Sequence, residues 1–430
     1  MNDHQREQAQ PEQARPEQAQ SAGARPDHRR LGRELDIFDS DPLIGAGLPF
    51  WLPDGAAARY EIESYLRESE RRAGYQFVYS PVIGKRALYE KSGHWQHFAD
   101  DMFPPMRLSA DDELVLRPAM CPHHALIFAS RPRSYRDLPV RIAEIGGQYR
   151  AERSGVLGGL SRVRAMSLND AHNFCAIDRV SAEVGEVLAL IREAHAAIGI
   201  QSAGFRLSRP GESDKYAGSS EMWDRAEAML RDALDRSGVD YVEAPGEAAF
   251  YGPKIDVQVV DPVERESTMS TIQLDFHQPA QFDLSYADGS GGRSRPVMIH
   301  RSLVGSMERL FAYLIEAHGG AFPVWYSPVQ VGVVPVSDAQ ADAAAEFERA
   351  AVVAGLRVEV AVEGSMGARV RVAALRKIPY VAVIGAREAA DGRVALRLRD
   401  GRQLDPMPVA DAVGLIAGVA ASRSFQLAPA

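Results

Sequence analysis

AEIGGQYRAERSGVLGGLSRVRAMSLNDAHNFC, residues 143–175, is the stretch that decides the fold. An apolar segment leads into a loop rich in glycine and arginine, and a second strand-like segment follows, so the pattern predicts a β-hairpin. Arg150, Arg162, Arg164 and Glu152 lie on its two arms. Because a guanidinium group binds phosphate oxygens at two points, paired arginines beside a glycine loop indicate a polyphosphate site. The alternative is a hairpin whose charges only face water.

Length and composition are those of an ordinary globular protein. The chain has 430 residues, of which 46% are hydrophobic and 25% charged, and this length predicts about two to three domains. No apolar run approaches the ~18 residues of a membrane span and no signal peptide is visible, so we expect a cytoplasmic protein without a membrane partner. The sequence has only two cysteines, Cys121 and Cys175, which argues against a disulfide scaffold. The net charge of −9 does not suggest a general nucleic-acid binder, so any RNA contact requires local arginine patches.

The chain divides into a tail and two predicted domains. Residues 1–34 contain a repeated PEQA unit without apolar periodicity, so we predict a disordered tail. Residues 35–326 mix helical and strand-like patterns, including a clear amphipathic helix between Ala176 and Gly199, and predict a mixed α/β domain. In residues 327–430 strands alternate with helices, which predicts a small open sheet.

Two further motifs carry candidate functional side chains. Cys121 precedes a proline at a predicted helix start in RPAMCPHH; a helix N-terminus lowers a thiol pKa, which favours a metal ligand. The alternative is a small buried cysteine that packs as a hydrophobe. His123 and His124 are sequence neighbours, so their side chains point apart and do not form a ligand pair. In VMIHRSLVGSMERL, Arg309 follows a predicted strand and turn and is a second candidate for a phosphate contact; its alternative is a helix-surface arginine.

Taken in order, these motifs resemble the class II aminoacyl-tRNA synthetases and, within them, the threonyl-tRNA synthetase family. The resemblance runs from about Leu48 to the C-terminus and rests on RPAMCPHH, YRAERSG with RVRAMSLNDAH, SSEMWDRAE, AFYGPKID and VMIHRSLVGSMERL. It implies an α/β protein: an α+β catalytic domain built on the class II antiparallel sheet, then a small α/β anticodon-binding-type domain. It also implies a short form that lacks the family's N-terminal and editing domains.

The resemblance implies one zinc ion per subunit, bound by Cys121, His172 and His300. A thiolate and two imidazoles leave coordination positions open, as in working rather than structural sites. In the family these positions take the amino group and hydroxyl of threonine, and Asp170 corresponds to the aspartate that accepts from the hydroxyl. A site that must bind a hydroxyl rejects valine far better than an apolar pocket does.

The resemblance also implies how ATP and Mg²⁺ bind. Arg150 would hold the α-phosphate and Glu152 would read the adenine amino group. Arg162 and Arg309 would grip the outer phosphates together with magnesium. Positioning and charge neutralisation supply most of the catalysis in such a reaction.

Further substrate contacts follow from the same motifs. Tyr251 and Lys254 would line the substrate, with Lys254 adding positive charge near the reacting phosphate, and Gln273 would lie under the nucleotide. The implied enzyme is a threonine–tRNA ligase, which forms threonyl-adenylate from threonine and ATP and transfers the threonyl group to tRNA(Thr).

The C-terminal domain and a segment near Pro81 imply the partners. Glu388 and Arg397 fall where the family reads anticodon bases, although the loop before Gly367 is shorter than usual. The region around Pro81 corresponds to the family's first motif and implies a homodimer.

Three positions depart from the family pattern and keep alternatives open. Leu168 replaces a glutamine, His123 a glycine and Ala119 a methionine, which reshapes the pocket and leaves open an amino acid other than threonine. One alternative is therefore a paralogue that passes its activated amino acid to a non-tRNA acceptor in specialised metabolism. The other is a non-catalytic regulatory or RNA-binding relative, which the joint presence of the arginines, Glu152 and the three metal ligands disfavours.

Overall fold

The structure is a computed structural model that describes residues 26–109, 112–212, 216–217, 219–262 and 264–428. Within these ranges the α-helices are α1 His28–Glu34, α2 Pro53–Arg72, α3 Arg86–Lys91, α4 His94–His97, α5 Cys121–Ala129, α6 Val180–Ile198, α7 Ser220–Ser237, α8 His277–Gln281, α9 Met307–His318, α10 Ala341–Val353, α11 Met366–Leu375, α12 Ala386–Ala390 and α13 Val409–Ser422.

The β-strands of the same ranges are β1 Phe38–Asp39, β2 Phe50–Trp51, β3 Gln76–Phe77, β4 Ile83–Lys85, β5 Met106–Ser109, β6 Asp112–Leu116, β7 Val140–Tyr149, β8 Ala165–Cys175, β9 Ser202–Arg209, β10 Tyr241–Pro245, β11 Lys254–Val260, β12 Glu266–Asp275, β13 Tyr286–Ala287, β14 Arg293–Ser294, β15 Val297–Ser302, β16 Val331–Pro335, β17 Val358–Val360, β18 Tyr380–Ile384, β19 Arg393–Leu398 and β20 Met407–Pro408.

An eight-stranded sheet in the order β10-β9-β11-β12-β15-β8-β7-β3 organises the first part of the chain. The predicted hairpin is confirmed: β7 and β8 pair antiparallel from Val140↔Phe174 to Tyr149↔Ala165. The other pairs of the sheet are antiparallel too, except at its two edges, where β10 runs parallel to β9 and β3 parallel to β7. The hairpin therefore places its glycine loop at one end of the sheet.

One face of this sheet is apolar and is covered by helices. The amphipathic pattern between Ala176 and Gly199 is confirmed as α6, whose apolar stripe is buried, and Gly199 ends it with φ +90°. Strand residues that point toward α6 and its neighbours alternate with residues that point away, as the two-residue period of a strand requires. The buried residues of this face are Ala143, Ala171, Leu207, Ile255, Ile272 and Ile299. The opposite face carries polar side chains beside a second apolar cluster that includes Val140, Ile142, Phe174 and Met298.

The C-terminal part forms a separate five-stranded sheet in the order β17-β16-β18-β19-β20. Strand β16 runs parallel to both β17 and β18, as its continuous apolar sequence Val331–Pro335 predicts for a strand buried on both faces. Helices α10 and α13 pack around it and share a hydrophobic core with it.

Two observations bear on the predicted tail and on membranes. The predicted disordered tail is wrong for residues 28–34, which form α1: Asp27 caps it by accepting from the Arg29 backbone N–H, and His28 and Gly32 are buried. Residues 1–25 lie outside the described ranges. Among the helices that the structure describes, none is long and apolar enough to cross a membrane.

Candidate active site and metal centre

Strand register brings the predicted site residues together. On four adjacent strands, Lys254 pairs with Gln273, Gln273 with His300, and His300 with His172. Residues directly opposite each other in antiparallel strands project from the same face. All four side chains therefore lie in one row on the face of the sheet opposite α6.

Cys121, His172 and His300 form a buried cluster at one end of this row. Each offers one ligand atom, and these atoms lie within 4.8 Å of one another. His172 Nε2 and His300 Nδ1 are 3.0 Å apart. Cys121 reaches the cluster because it is the first residue of α5, which packs against β8. The predicted ligand set is thus brought to one point.

Each histidine of the cluster is held from behind by a further group. His300 Nε2 lies 2.9 Å from Asp275 Oδ2. His172 Nδ1 lies 2.7 Å from His124 Nδ1, and His124 Nε2 lies 3.3 Å from Glu144 Oε2. A carboxylate or equivalent partner behind a ligating histidine fixes its ring and tautomer.

The number of ring protons available to these linked histidines shows why a cation fits between them. Four contacts link Asp275, His300, His172, His124 and Glu144. Burial and the neighbouring rings lower the pKa of His172 well below its ordinary value, which favours a neutral ring. A neutral His172 carries one ring proton, so only one of its two nitrogens can donate. When Nδ1 donates to His124, the lone pair of Nε2 faces the His300 Nδ1 lone pair left by donation of His300 Nε2 to Asp275. A metal ion beside the Cys121 sulfur would remove that repulsion.

The environments of two carboxylates near the cluster shift their pKa values in opposite directions. Burial acts to raise the pKa of Glu144, but hydrogen bonds from His124 and Ser80 and the charge of Arg117 hold it at about 2. Burial raises the pKa of Asp170 above its usual range. Asp170 lies two residues before His172 in β8, on the same face of the strand. Gln148 Nε2 donates to its Oδ2 at 3.4 Å. Asp170 therefore borders the cluster without entering it.

The expectation of a lowered thiol pKa at Cys121 is wrong. Burial raises the pKa of Cys121 well above its ordinary value and outweighs the helix start. His94 Nε2 lies 3.6 Å from the sulfur. Because a metal binds the thiolate, binding here must release the thiol proton.

Tyr251 and Gln273 form the floor beside His300. The Tyr251 ring stacks on His300 with 4.7 Å between centroids, and its hydroxyl donates to Gln273 Oε1. Burial raises the pKa of Tyr251 well above its ordinary value, so the phenol stays protonated. Further along the row, Lys254 Nζ donates to Asp256 Oδ2 at 2.7 Å.

Three arginines converge at the end of β7 and at the start of α9. Burial and the charges of Arg150 and Arg162 lower the pKa of Arg309. Burial also lowers the pKa of Arg150, whose Nε finds no hydrogen-bond partner among the described residues. The carboxylate of Glu152 pairs with Arg162 at 2.8 Å. An excess of guanidinium groups over carboxylates leaves a cleft that suits an anion.

Arg164 differs from the other hairpin arginines because it supports the loop. Its Nε donates to the Glu152 carbonyl at 2.9 Å, and its other nitrogens contact Ala46 O and Ser154 Oγ at 3.2 Å. The initial grouping of Arg164 with the phosphate-binding arginines is therefore not supported by its contacts.

The departures from the family pattern lie at or near the site. His123 is buried beside Tyr89, with 6.3 Å between ring centroids, and does not join the histidine chain. Leu168 is half-buried in β8 and bridges to Ser306 in the loop before α9. Ala119 packs beside the core cluster that contains Cys121.

The predicted RNA-reading residues lie in the C-terminal sheet region. Glu388 belongs to α12, where its carboxylate accepts from the Gly385 N–H at 3.1 Å. Arg397 is half-buried on β19, opposite Val381 of β18, and projects from the face away from the core residues Leu396 and Leu398.

Sequence reasoning missed four residues around the Cys121–His172–His300 cluster: His94, His124, Glu144 and Asp275. His124 carries a usable signal, since it is a histidine three residues after Cys121, whereas His94 lies 27 residues before Cys121. Asp275 and Glu144 carry none, because they are ordinary strand carboxylates until the sheet pairs them with the histidines.

Comparison with known proteins agrees with this geometry. The tRNA synthetase class II core domain (G, H, P, S and T) matches residues 106–318, and an anticodon binding domain matches residues 330–418. The chain is 48% identical over 375 residues to the threonine–tRNA ligase of Staphylococcus carnosus, which covers 86% of this chain and 58% of that protein. The chain thus spans about three fifths of the length of the curated relatives it matches, at 58%, 60% and 61% of the first three.

Solved structures give the same result over nearly their whole length. A structure titled as the RNA binding domain of threonyl-tRNA synthetase from Cryptosporidium parvum has 34% identity and a TM-score of 0.87, covering 93% of this chain and 99% of that one. A putative threonyl-tRNA synthetase from Aeropyrum pernix has 30% identity and a TM-score of 0.79, covering 94% and 98%. With its antiparallel class II core and its anticodon-binding domain, the chain belongs to the class II aminoacyl-tRNA synthetases and, within them, to the threonyl-tRNA synthetase family.

Proposed function

We propose that this chain activates threonine with ATP to form threonyl-adenylate and pyrophosphate, then transfers the threonyl group to the 3′ end of tRNA(Thr). Residues 35–326 would perform the chemistry and residues 327–430 would bind the anticodon. The proposal depends on two observations: the row from Lys254 to His172, which ends in a Cys-His-His cluster, and the cleft where Arg150, Arg162 and Arg309 converge. The named relatives, threonine–tRNA ligases, favour this reaction over an adenylate-forming enzyme with a non-tRNA acceptor.

Amino-acid selection is assigned to Cys121, His172 and His300, which would hold one zinc ion per subunit. A zinc ion held there would supply open coordination positions for the amino group and hydroxyl of threonine. Asp170 borders the cluster and would accept a hydrogen bond from that hydroxyl. Valine lacks the hydroxyl, so it would leave Asp170 and a coordination position unsatisfied and be rejected.

Nucleotide binding is assigned to the cleft of Arg150, Arg162 and Arg309. Arg150 would neutralise the α-phosphate while the threonine carboxylate attacks in line, and the other two would hold the outer phosphates with Mg²⁺. Both contacts of Arg162 with Glu152 go to Oε2, so the adenine amino group can donate to the other carboxylate oxygen.

Substrate positioning is assigned to Tyr251, Lys254 and Gln273. The Tyr251 ring packs on His300 and orders Gln273 through its hydroxyl. Lys254 stands in the same row and is oriented by Asp256. Its charge would add to that of Arg150 as negative charge develops on the phosphate.

We further propose tRNA contacts and a homodimer. Glu388 and Arg397 would contact anticodon bases. A small sheet in the order β4-β6-β5 and the residues before it expose Tyr79, Ile83 and Leu108. Exposed apolar groups that cluster in this way mark a protein interface, and a second copy of the chain would cover them.

The two free cysteines suit the reducing cytoplasm.

Pyrophosphate exchange over a panel of amino acids, with bound-metal analysis, tests the proposal. Wild-type protein should exchange with threonine, reject valine and hold one zinc per subunit. Cys121→Ser should lose zinc and exchange together, whereas Cys175→Ser, at a buried cysteine away from the cluster, should keep both.

Two results would contradict these assignments. Full exchange by a zinc-free Cys121→Ser protein would refute the metal role. Threonine-dependent exchange without charging of a tRNA(Thr) transcript would refute the tRNA acceptor and return the question to a different acyl carrier.

A further inference from the structure

The His28 side chain of helix α1 contacts the glycine turn of the hairpin loop, residues 158–162. His28 Nδ1 lies 2.7 Å from Glu316 Oε1 in α9, and His28 Nε2 lies 3.2 Å from the Leu160 backbone nitrogen. Because Leu160 donates its N–H, Nε2 must offer a lone pair, and Nδ1 carries the proton that is donated to Glu316. His28 is 5% exposed. The two contacts fix the ring between α9 and the turn.

The turn approaches α1 so closely that it requires glycine. Gly159 has φ +56°, and a Cβ at this position would lie 2.4 Å from His28 Nε2 and 2.7 Å from Arg29 Cγ. Any larger residue would move the turn away from α1, and the positive φ would be strained as well. The sequence of the turn is therefore matched to the His28 ring.

The other side of the same turn faces the arginine cleft. The carbonyl of Ser161 accepts from Arg309 Nε at 3.4 Å. The next residue, Arg162, pairs with Glu152 at 2.8 Å, and its carbonyl accepts from the Gly158 N–H at 3.2 Å. The position of the turn thus sets two of the three guanidinium groups of the cleft.

We propose that His28 is a positioning residue for ATP. By fixing Leu160, it holds the turn where Ser161 orients Arg309 and where Arg162 meets Glu152. The segment that precedes the main sheet then contributes to nucleotide affinity without touching the nucleotide. This inference rests on the proposed function to the extent that the cleft binds ATP.

Two conservative variants separate positioning from simple structural support. His28→Gln keeps a hydrogen-bond acceptor at the place of Nε2, so the Leu160 contact can form. His28→Asn keeps a donor near the place of Nδ1 for Glu316, but its side chain is too short to accept from the Leu160 N–H. The dissociation constant of MgATP, measured by calorimetry on the full chain, should rise about tenfold in His28→Asn, the factor typical of one lost hydrogen bond, and stay within about twofold in His28→Gln. Gly159→Ala should weaken MgATP by a similar factor.

Steady-state kinetics supply a second measurement. In pyrophosphate exchange, His28→Asn should raise KM for ATP while KM for threonine stays unchanged, because His172 lies seven residues along β8 from the loop end of the hairpin. Equal MgATP affinity in wild type, His28→Asn and Gly159→Ala would overturn the inference. Equal weakening in His28→Asn and His28→Gln would overturn it too, since the Leu160 contact would then not matter. Wild-type protein that binds MgATP but shows no exchange would overturn the proposed function alone, and wild-type protein that does not bind MgATP would overturn both.

Discussion

His123 and His124 are neighbours of the same residue type with different surroundings. Both are buried, yet His124 contacts His172 at 2.7 Å whereas His123 packs beside Tyr89 and its Nδ1 has no partner among the described residues. Consecutive residues of a helix point about 100° apart, so only one of two adjacent histidines can face the cluster. At the scale of the residue, the direction in which a side chain points decides whether it contacts the cluster.

His124→Ala should therefore weaken zinc binding about 10- to 100-fold, the range seen when the partner of a ligating histidine is removed. His123→Ala is the matched control and should leave zinc affinity unchanged. Competition with a chromogenic chelator measures both. Equal affinities in the two variants would show that the His124–His172 contact does not orient the ligand.

At the scale of the element, the fold depends on how helices dock on the sheet, and the contacts of α6 give an example. Near its C-terminal end, His195 contacts Ser202 Oγ in β9 at 2.9 Å, Ser270 Oγ in β12 at 2.7 Å and the Leu303 carbonyl at 3.1 Å. Burial, only partly opposed by the Leu303 contact, lowers the pKa of His195 from 6.5 to about 4. One imidazole thus joins α6 to two strands in its neutral form.

Acid should weaken this docking. Between pH 6.5 and 4 the unfolded chain binds a proton at His195 and the folded chain does not, so the stability that the neutral ring provides at neutral pH is lost as pH falls. With the lowered pKa of about 4, the loss from this residue is about 2 kcal/mol at pH 5. Urea unfolding of wild type and His195→Gln at pH 7.5 and 5 measures it: the variant should lose about 2 kcal/mol less. An identical pH dependence would contradict the assignment.

At the scale of the whole molecule, α2 connects the two sheets. Arg357 of the C-terminal part donates to Glu61 at 2.6 Å, and Arg376 donates to Asp54 at 3.0 Å. Farther along α2, Glu70 accepts from Arg301, the residue after His300, at 2.6 Å. One helix therefore contacts both the C-terminal sheet and the strand that carries a metal-ligand candidate.

Reversing a charge on the C-terminal sheet should separate the two half-reactions. Arg397→Glu should lower the rate of tRNA(Thr) charging at least about tenfold, because an anionic backbone would meet a repulsive charge. Pyrophosphate exchange, which needs no tRNA, should not change. Arg397→Lys keeps the charge and should retain most of the charging activity; unaltered charging in Arg397→Glu would exclude this residue from RNA contact.

Assembly gives the second prediction at this scale. Ile83→Asp, in the exposed apolar region of β4, should shift sedimentation from dimer to monomer, because a charge would be buried without a partner. Val353→Asp alters an apolar residue that is 89% exposed on α10 and should leave the sedimentation coefficient unchanged. Dimers of the Ile83→Asp protein would place the interface elsewhere.

The sequence by itself determined the local elements and the identities of the ligand candidates. The hairpin of β7 and β8, the amphipathic α6 and the strand–turn–helix ending in α9 follow from periodicity and turn residues, which act over a few positions. Residue type made Cys121 a candidate ligand, because few side chains bind zinc, and the resemblance to the synthetase family added His172 and His300. The tail prediction failed at α1, where a short capped helix is stabilised by burial against distant residues such as Glu316.

Only the tertiary structure decided which side chains act together. His172 and His300 are 128 residues apart in sequence and meet through strand register. The pairing of β12 with β15 brings Asp275 beside His300, whereas Arg164 turns away to support the loop. Local sequence preferences cannot specify such contacts, because a shift of one residue in a strand would send every side chain to the opposite face. The buried core between the sheet and its helices fixes that register and, with it, the site.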